Sequence, residues 1–180
     1  MRINREDCTA LVIDIQERLF PHVAGKEELL RKCLILLEGL WLLEVPVSVT
    51  EQYPKGLGPT IPEIRRALDP FSPTEKLAFS CCDEPACRST LDHSRRRTVI
   101  ICGIEAHVCV LQTVVDLLEL GFRPVVVADC TASRNPGDRL VALDRMRQEG
   151  AVVTTCESIL FELARVSGTP LFKSISRLVK

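Results

Sequence analysis

The chain has 180 residues, with 23 basic side chains against 24 acidic ones and a formal net charge of −1. That length suits one domain with a substantial core, and the balanced charge excludes a broad field that would draw in nucleic acid or an anionic membrane. Nine cysteines, an odd number lying mostly in apolar runs, read as reduced thiols of a cytoplasmic protein rather than a disulfide scaffold.

The opening stretch MRINREDCTALVID carries acidic residues where a secretory signal needs an apolar segment. It runs straight into residues 9–13, a continuous apolar run ending at Asp14, as expected of a parallel strand covered on both faces. A helix follows over 26–44; its most apolar window is interrupted by Glu38 and Gly39 and is too short to span a bilayer, so no membrane association is expected. Residues 46–50 form the next strand, ending at Glu51. The loop EQYPKGLGPTIP then leads to a short helix starting near Pro62. The segment 73–80 holds a short strand that either closes or opens at Lys76. Arg95, Arg96 and Arg97 read as a solvated loop before the strand 98–102. Then come a helix over 107–120, a strand over 124–128 ending at Asp129, a helix over 137–148, a strand over 151–155, and a helix from Glu157.

This alternation, without linker or repeat, predicts one three-layer α/β domain over residues 1–180, with a mainly parallel sheet and right-handed crossovers. The helix after Cys109 is apolar nearly all round, and the Leu-rich helix carrying Trp41 is similar. Such helices are buried on two sides, so a homo-oligomer is expected.

In open α/β sheets, ligands bind beyond the carboxyl ends of the strands. The candidates are therefore Asp14, Glu51, Lys76, the turn from Gly103 to Cys109, and Asp129. Cys109 opens a helix whose free N–H groups favour a thiolate and lower its pKa; the alternative is a core cysteine, as Cys33 and Cys102 are. Gly103 permits a sharp exit from the strand. Asp14 needs a partner at that depth, or caps the turn from Gln16 to Leu19. His107 lies two residues before Cys109, so the two side chains point in different directions; a cap or a pocket-wall role suits it better than that of a base. Gln16, Glu51, Gln52, Tyr53 and Phe79 are expected to wall a substrate pocket. Cys81, Cys82 and Cys87 lack zinc-ligand spacing; Cys81 and Cys82 either line the pocket or have no role, and thiol redox sensing is open to any of the three.

With those positions in view, the chain resembles the isochorismatase-like cysteine hydrolases, in particular the branch of isochorismatase domain-containing proteins. The resemblance rests on LVIDIQERL around Asp14, LLEVPVSVTEQYPKGLGPTIPE, EKLAFS around Lys76, GIEAHVCVLQTVVDLLELG around Cys109, and DRLVALDRMRQEGAVVTTCESILFEL. These cover most of the chain in order. The resemblance implies a six-stranded, mostly parallel Rossmann-like sheet and a catalytic triad at Asp14, Lys76 and Cys109. It also implies a cis peptide between Ile104 and Glu105, with the backbone N–H groups of Glu105 and Cys109 as an oxyanion hole. Nicotinamidase-type relatives carry an Asp-x-His metal segment where this chain has Glu51-Gln52-Tyr53, so neither a catalytic metal nor a cofactor is expected. True isochorismatases need no thiol nucleophile, and Cys109 therefore points to attack on the acyl carbon of a small amide or related substrate. The competing class is a non-catalytic binding or scaffold protein on the same fold.

Overall fold

The computed structural model describes residues 2–180, along which six strands and eight α-helices are laid out. The strands are β1 (Cys8–Ile13), β2 (Val47–Gln52), β3 (Thr74–Lys76), β4 (Thr98–Ile104), β5 (Arg123–Ala132) and β6 (Val152–Thr154). The helices are α1 (Lys26–Leu42), α2 (Pro54–Leu57), α3 (Pro62–Ala67), α4 (Pro85–Ser94), α5 (Leu111–Glu119), α6 (Pro136–Glu149), α7 (Cys156–Ala164) and α8 (Pro170–Leu178). The sheet order is β3-β2-β1-β4-β5-β6, and each neighbouring pair is parallel.

Period-two alternation divides the core. In β1, Cys8, Ala10 and Val12 pack with α1, α3, α7 and α8, while Leu11 and Ile13 pack on the other face with α4, α5 and α6. Both faces of the strand are covered, which explains its unbroken apolar run. From the central pair, β1 leads outward to β2 and β3, and β4 leads the opposite way to β5 and β6. The crevice of an α/β fold opens where connections diverge like this, here at the carboxyl ends of β1 and β4.

Two local expectations change. Gly103 lies inside β4 with φ 130°, where a Cβ would collide with the Ile13 carbonyl oxygen; it permits close approach of β1 rather than an exit turn. The helix expected over 107–120 begins as a π-helical turn, Ala106–Val110, and becomes α-helical only at Leu111. Helix α4 has mean-polar sequence with Cys87 and Leu91 as its buried residues, too few apolar positions for periodicity to mark it. The strand near Lys76 closes at that residue.

All nine cysteines are free. Cys33, Cys102, Cys130 and Cys156 are fully or almost fully buried in the core against α1 and α7. Among the described residues, no helix is long and apolar enough to cross a membrane.

Candidate active site

Asp14 is the residue after β1, buried and in left-handed backbone with φ 54°. Its carboxylate is held from two sides. Oδ1 accepts a hydrogen bond from Thr50 Oγ1 at 2.7 Å, and Oδ2 accepts one from Lys76 Nζ at 2.7 Å. Lys76 ends β3, two strands away, so its stem must pass the end of β2. There Gln52 Oε1 accepts from Nζ at 2.7 Å, and the carbonyl oxygens of Phe79 and Ala78 lie at 3.1 and 3.3 Å. An ammonium has three N–H donors, and this cage offers an acceptor for each. Burying it without them would cost several kcal/mol, on the order of the penalty for any unpaired interior ion.

Cys109 enters from the far side, on the turn after β4. Its thiol lies near enough to Asp14 and Lys76 for both charges to act on it, which groups sulfur, acid and amine at one end of the sheet. The π-helical turn moves the Glu105 carbonyl off the cysteine's amide. Glu105 O accepts from Val108 N–H at 3.1 Å and Val110 N–H at 3.2 Å, straddling Cys109. In an α-helix that carbonyl would take the Cys109 N–H; the wider turn hands it to the following residue. The Ile104–Glu105 peptide bond is cis.

The expected lowering of the Cys109 pKa is overturned. Burial pushes the thiol well above the usual thiol range, the Asp14 charge raises it further, and Lys76 only partly opposes them. With Cys109 only 6% exposed, desolvation of a thiolate outweighs the partial charge of one helical turn. Lys76 shows the opposite balance. Burial works against its charge, yet the Asp14 carboxylate leads the influences that raise its pKa overall.

The residues expected to wall the pocket separate into two groups. Gln16 does not face an open space. Its Nε2 donates to Gln52 O at 3.0 Å and Gly58 O at 2.6 Å, and its Oε1 accepts from Gln52 N–H at 2.8 Å. Both ends of the buried amide are thus spent joining β2 to the following loop. Glu51 likewise accepts from Thr60 N–H at 2.7 Å and closes that loop. Gln52 belongs to the lysine cage, and its Nε2 donates to Leu77 O at 2.7 Å. Tyr53 and Phe79 carry exposed rings. Tyr53 lines a cavity of about 290 Å³ with Pro54, Lys55, Glu75, Leu77 and Glu84. That cavity reaches Lys76 only by its backbone, because the lysine side chain has 0% exposure.

Sequence reasoning passed over several residues that the structure ties to the site. Thr50 pairs in register with Ile13, so a threonine at that strand end beside a buried aspartate was a usable signal. Thr113 Oγ1 accepts from Cys81 N–H at 2.9 Å and donates to Cys109 O at 2.7 Å, binding the turn after Ser80 to the cysteine turn. Cys81 Sγ lies 3.9 Å from Thr50 Oγ1. Asp129 sits apart: it accepts from Cys156 N–H at 2.7 Å and caps α7. Among the described residues, no group of three or more His, Cys, Asp or Glu side chains is arranged to hold a metal ion.

Comparison with known proteins adds a family. The model of the isochorismatase domain matches residues 8–158. Isochorismatase domain-containing protein 2A of Mus musculus is 41% identical over 99% of this chain and 85% of its own length. A structure described as MAR1 ribonuclease from Caenorhabditis elegans matches with a TM-score of 0.92 and 39% identity, covering 99% of this chain and 92% of that one. The YcaC gene product of Escherichia coli, described as an octameric hydrolase of unknown specificity, has the same fold. Its TM-score is 0.92 at 23% identity, over 99% of this chain and 90% of its own.

Proposed function

The chain belongs to the isochorismatase family, and from that premise we propose that it is a cysteine hydrolase cleaving a small amide or related C–N bond. The observation that carries this reading is a fully buried carboxylate held by a fully buried lysine at 2.7 Å, with the Cys109 thiol near enough to feel both charges. Asp14 takes the Cys109 proton as the sulfur attacks the substrate's carbonyl carbon, and Lys76 keeps the carboxylate in place and offsets the added charge. The negative oxygen rests against the N–H groups of Glu105 and Cys109. Asp14 then returns the proton to the leaving ammonia or amine, and afterwards draws one from the water that cleaves the thioester. No metal or cofactor enters this scheme.

The high thiol pKa suits this order of events. A resting neutral thiol keeps its proton until a substrate displaces water and Asp14 removes it. The depth of Cys109 also favours a second reading, a binding protein on the same fold. An ammonia-release screen over small carboxamides decides between them: turnover by the wild type and none by Cys109→Ala supports the hydrolase, whereas turnover unaffected by that substitution refutes it.

Trp41, 74% exposed on α1, and the octamer described for the E. coli protein support self-association, so the working form is proposed to be a homo-oligomer. Nine free thiols support a cytoplasmic setting. A relative is described as a ribonuclease, yet the near-neutral charge of −1 here supports a small molecule rather than a polyanion as substrate.

A further inference from the structure

The cysteine turn is gripped from behind as well as met from the front. Glu105 and His107 alternate with Cys109, and neither side chain reaches toward Asp14. The Glu105 carboxylate, buried, accepts from Arg134 N–H at 2.9 Å and from Arg134 Nε at 3.1 Å to each oxygen. His107 Nδ1 shares a hydrogen bond of 2.9 Å with Ser133 Oγ. Thus two adjacent residues after β5 hold two alternate residues of the turn that carries the sulfur.

The base of this grip is itself fixed. Ser133 O accepts from Ala24 N–H at 3.3 Å. Arg139 Nε donates to Thr131 O at 2.7 Å, and Asn135 Oδ1 caps α6 through Gly137 N–H at 2.8 Å. A buried carboxylate needs its partner, so the Glu105 side chain cannot swing without losing Arg134. Its own amide, and that of Cys109 four residues on, would move with it.

We propose that Ser133 and Arg134 are positioning residues for the cysteine turn, holding Glu105 and His107 so that the amides of Glu105 and Cys109 keep their aim at a substrate's carbonyl oxygen. The inference rests on the thiol-nucleophile reading, and its test uses two reagents that separate the two ideas. p-Nitrophenyl acetate acylates a thiol through an oxyanion. The sulfur–carbon bond forms, the carbon–oxygen bond breaks, p-nitrophenolate leaves and the thiol proton passes to Asp14. Iodoacetamide alkylates the same sulfur by direct displacement of iodide, with no oxyanion to stabilise.

Both reactions are followed at the Cys109 peptide by mass spectrometry in the wild type, Arg134→Ala, Arg134→Lys and Ser133→Ala. Arg134 is 61% exposed along its side chain, so its truncation leaves the core intact, and far-ultraviolet circular dichroism checks this. In Arg134→Ala acylation is expected to fall about ten- to hundredfold, the range for a displaced oxyanion donor, while alkylation stays within about twofold. Arg134→Lys, which restores a cation to Glu105, should recover part of the loss, and Ser133→Ala should repeat it in milder form. Acylation of Arg134→Ala at the wild-type rate, or an equal fall in both reactions, overturns the positioning role. A wild-type Cys109 that alkylates but never acylates instead removes the nucleophile reading, and the inference with it.

Discussion

Lys76 and Asp14 form an ion pair 2.7 Å long in which neither side chain has any exposed surface. Two charges so deep are tolerable only together, and the surrounding dipoles of Thr50 and Gln52 and the backbone carbonyls complete the arrangement. Lys76→Met keeps the stem but strands a buried carboxylate. It should cost about 3–5 kcal/mol in urea unfolding, as breaking one side of a buried pair does. The double variant Lys76→Met/Asp14→Asn leaves no charge and should recover at least half of that. A single variant within about 1 kcal/mol of wild type would show that water reaches the pair.

Thr50 Oγ1 is the other support of the carboxylate, and Thr50→Val removes a buried donor while preserving shape. The expected loss is about 1–3 kcal/mol from the unpaired Oδ1. Hydrolytic activity should drop with it, because Asp14 then has freedom to rotate away from the sulfur. Unchanged melting and unchanged turnover together would make the hydrogen bond incidental.

The pH dependence of Cys109 labelling follows from its raised pKa. The thiol stays protonated in the folded protein through the neutral range, so iodoacetamide labelling should keep rising from about pH 7 to about pH 10, past the value of about 8.5 at which a free thiol is half ionised. Asp14 raises the thiol pKa and Lys76 lowers it. Asp14→Asn should therefore shift the labelling curve to lower pH while abolishing turnover, and Lys76→Met should shift it to higher pH. A wild-type curve that levels off below about pH 8 would contradict the burial argument.

Gly103 admits no side chain, since a Cβ there would strike the Ile13 backbone. Gly103→Ala must push β4 away from β1 at the point where Asp14 and the cysteine turn leave the sheet. A loss of about 2–4 kcal/mol is expected, which for a chain of this size lowers the melting temperature by roughly 4–16 °C. Melting within about 1 °C of wild type would show that the strands part easily.

The layered fold was legible because hydrophobic runs and their polar ends report burial directly. Asp14, Lys76 and Cys109 stood out for that reason, each at a strand end or the turn beyond it. Gln16 and Glu51 misled because a polar residue beside a crevice looks the same in sequence whether it faces a ligand or ties down a loop. The shift of the Cys109 thiol was also hidden, since a helix start is visible in sequence but the depth of one sulfur is not. The Arg134–Glu105 contact joins residues 29 positions apart, and nothing local in either segment announces it.

The turn from Glu105 to Val110 closes on the fifth residue, one more than a regular helix would use. Each residue of an α-helix advances about 100° around its axis. Excising Ala106 or Val108 would restore regular winding and carry the sulfur roughly a quarter-turn off the carboxylate. Spacing in this segment is thus as strict a requirement as the three side chains themselves, and a homologue that keeps them but loses one residue between Glu105 and Cys109 should be an inert copy.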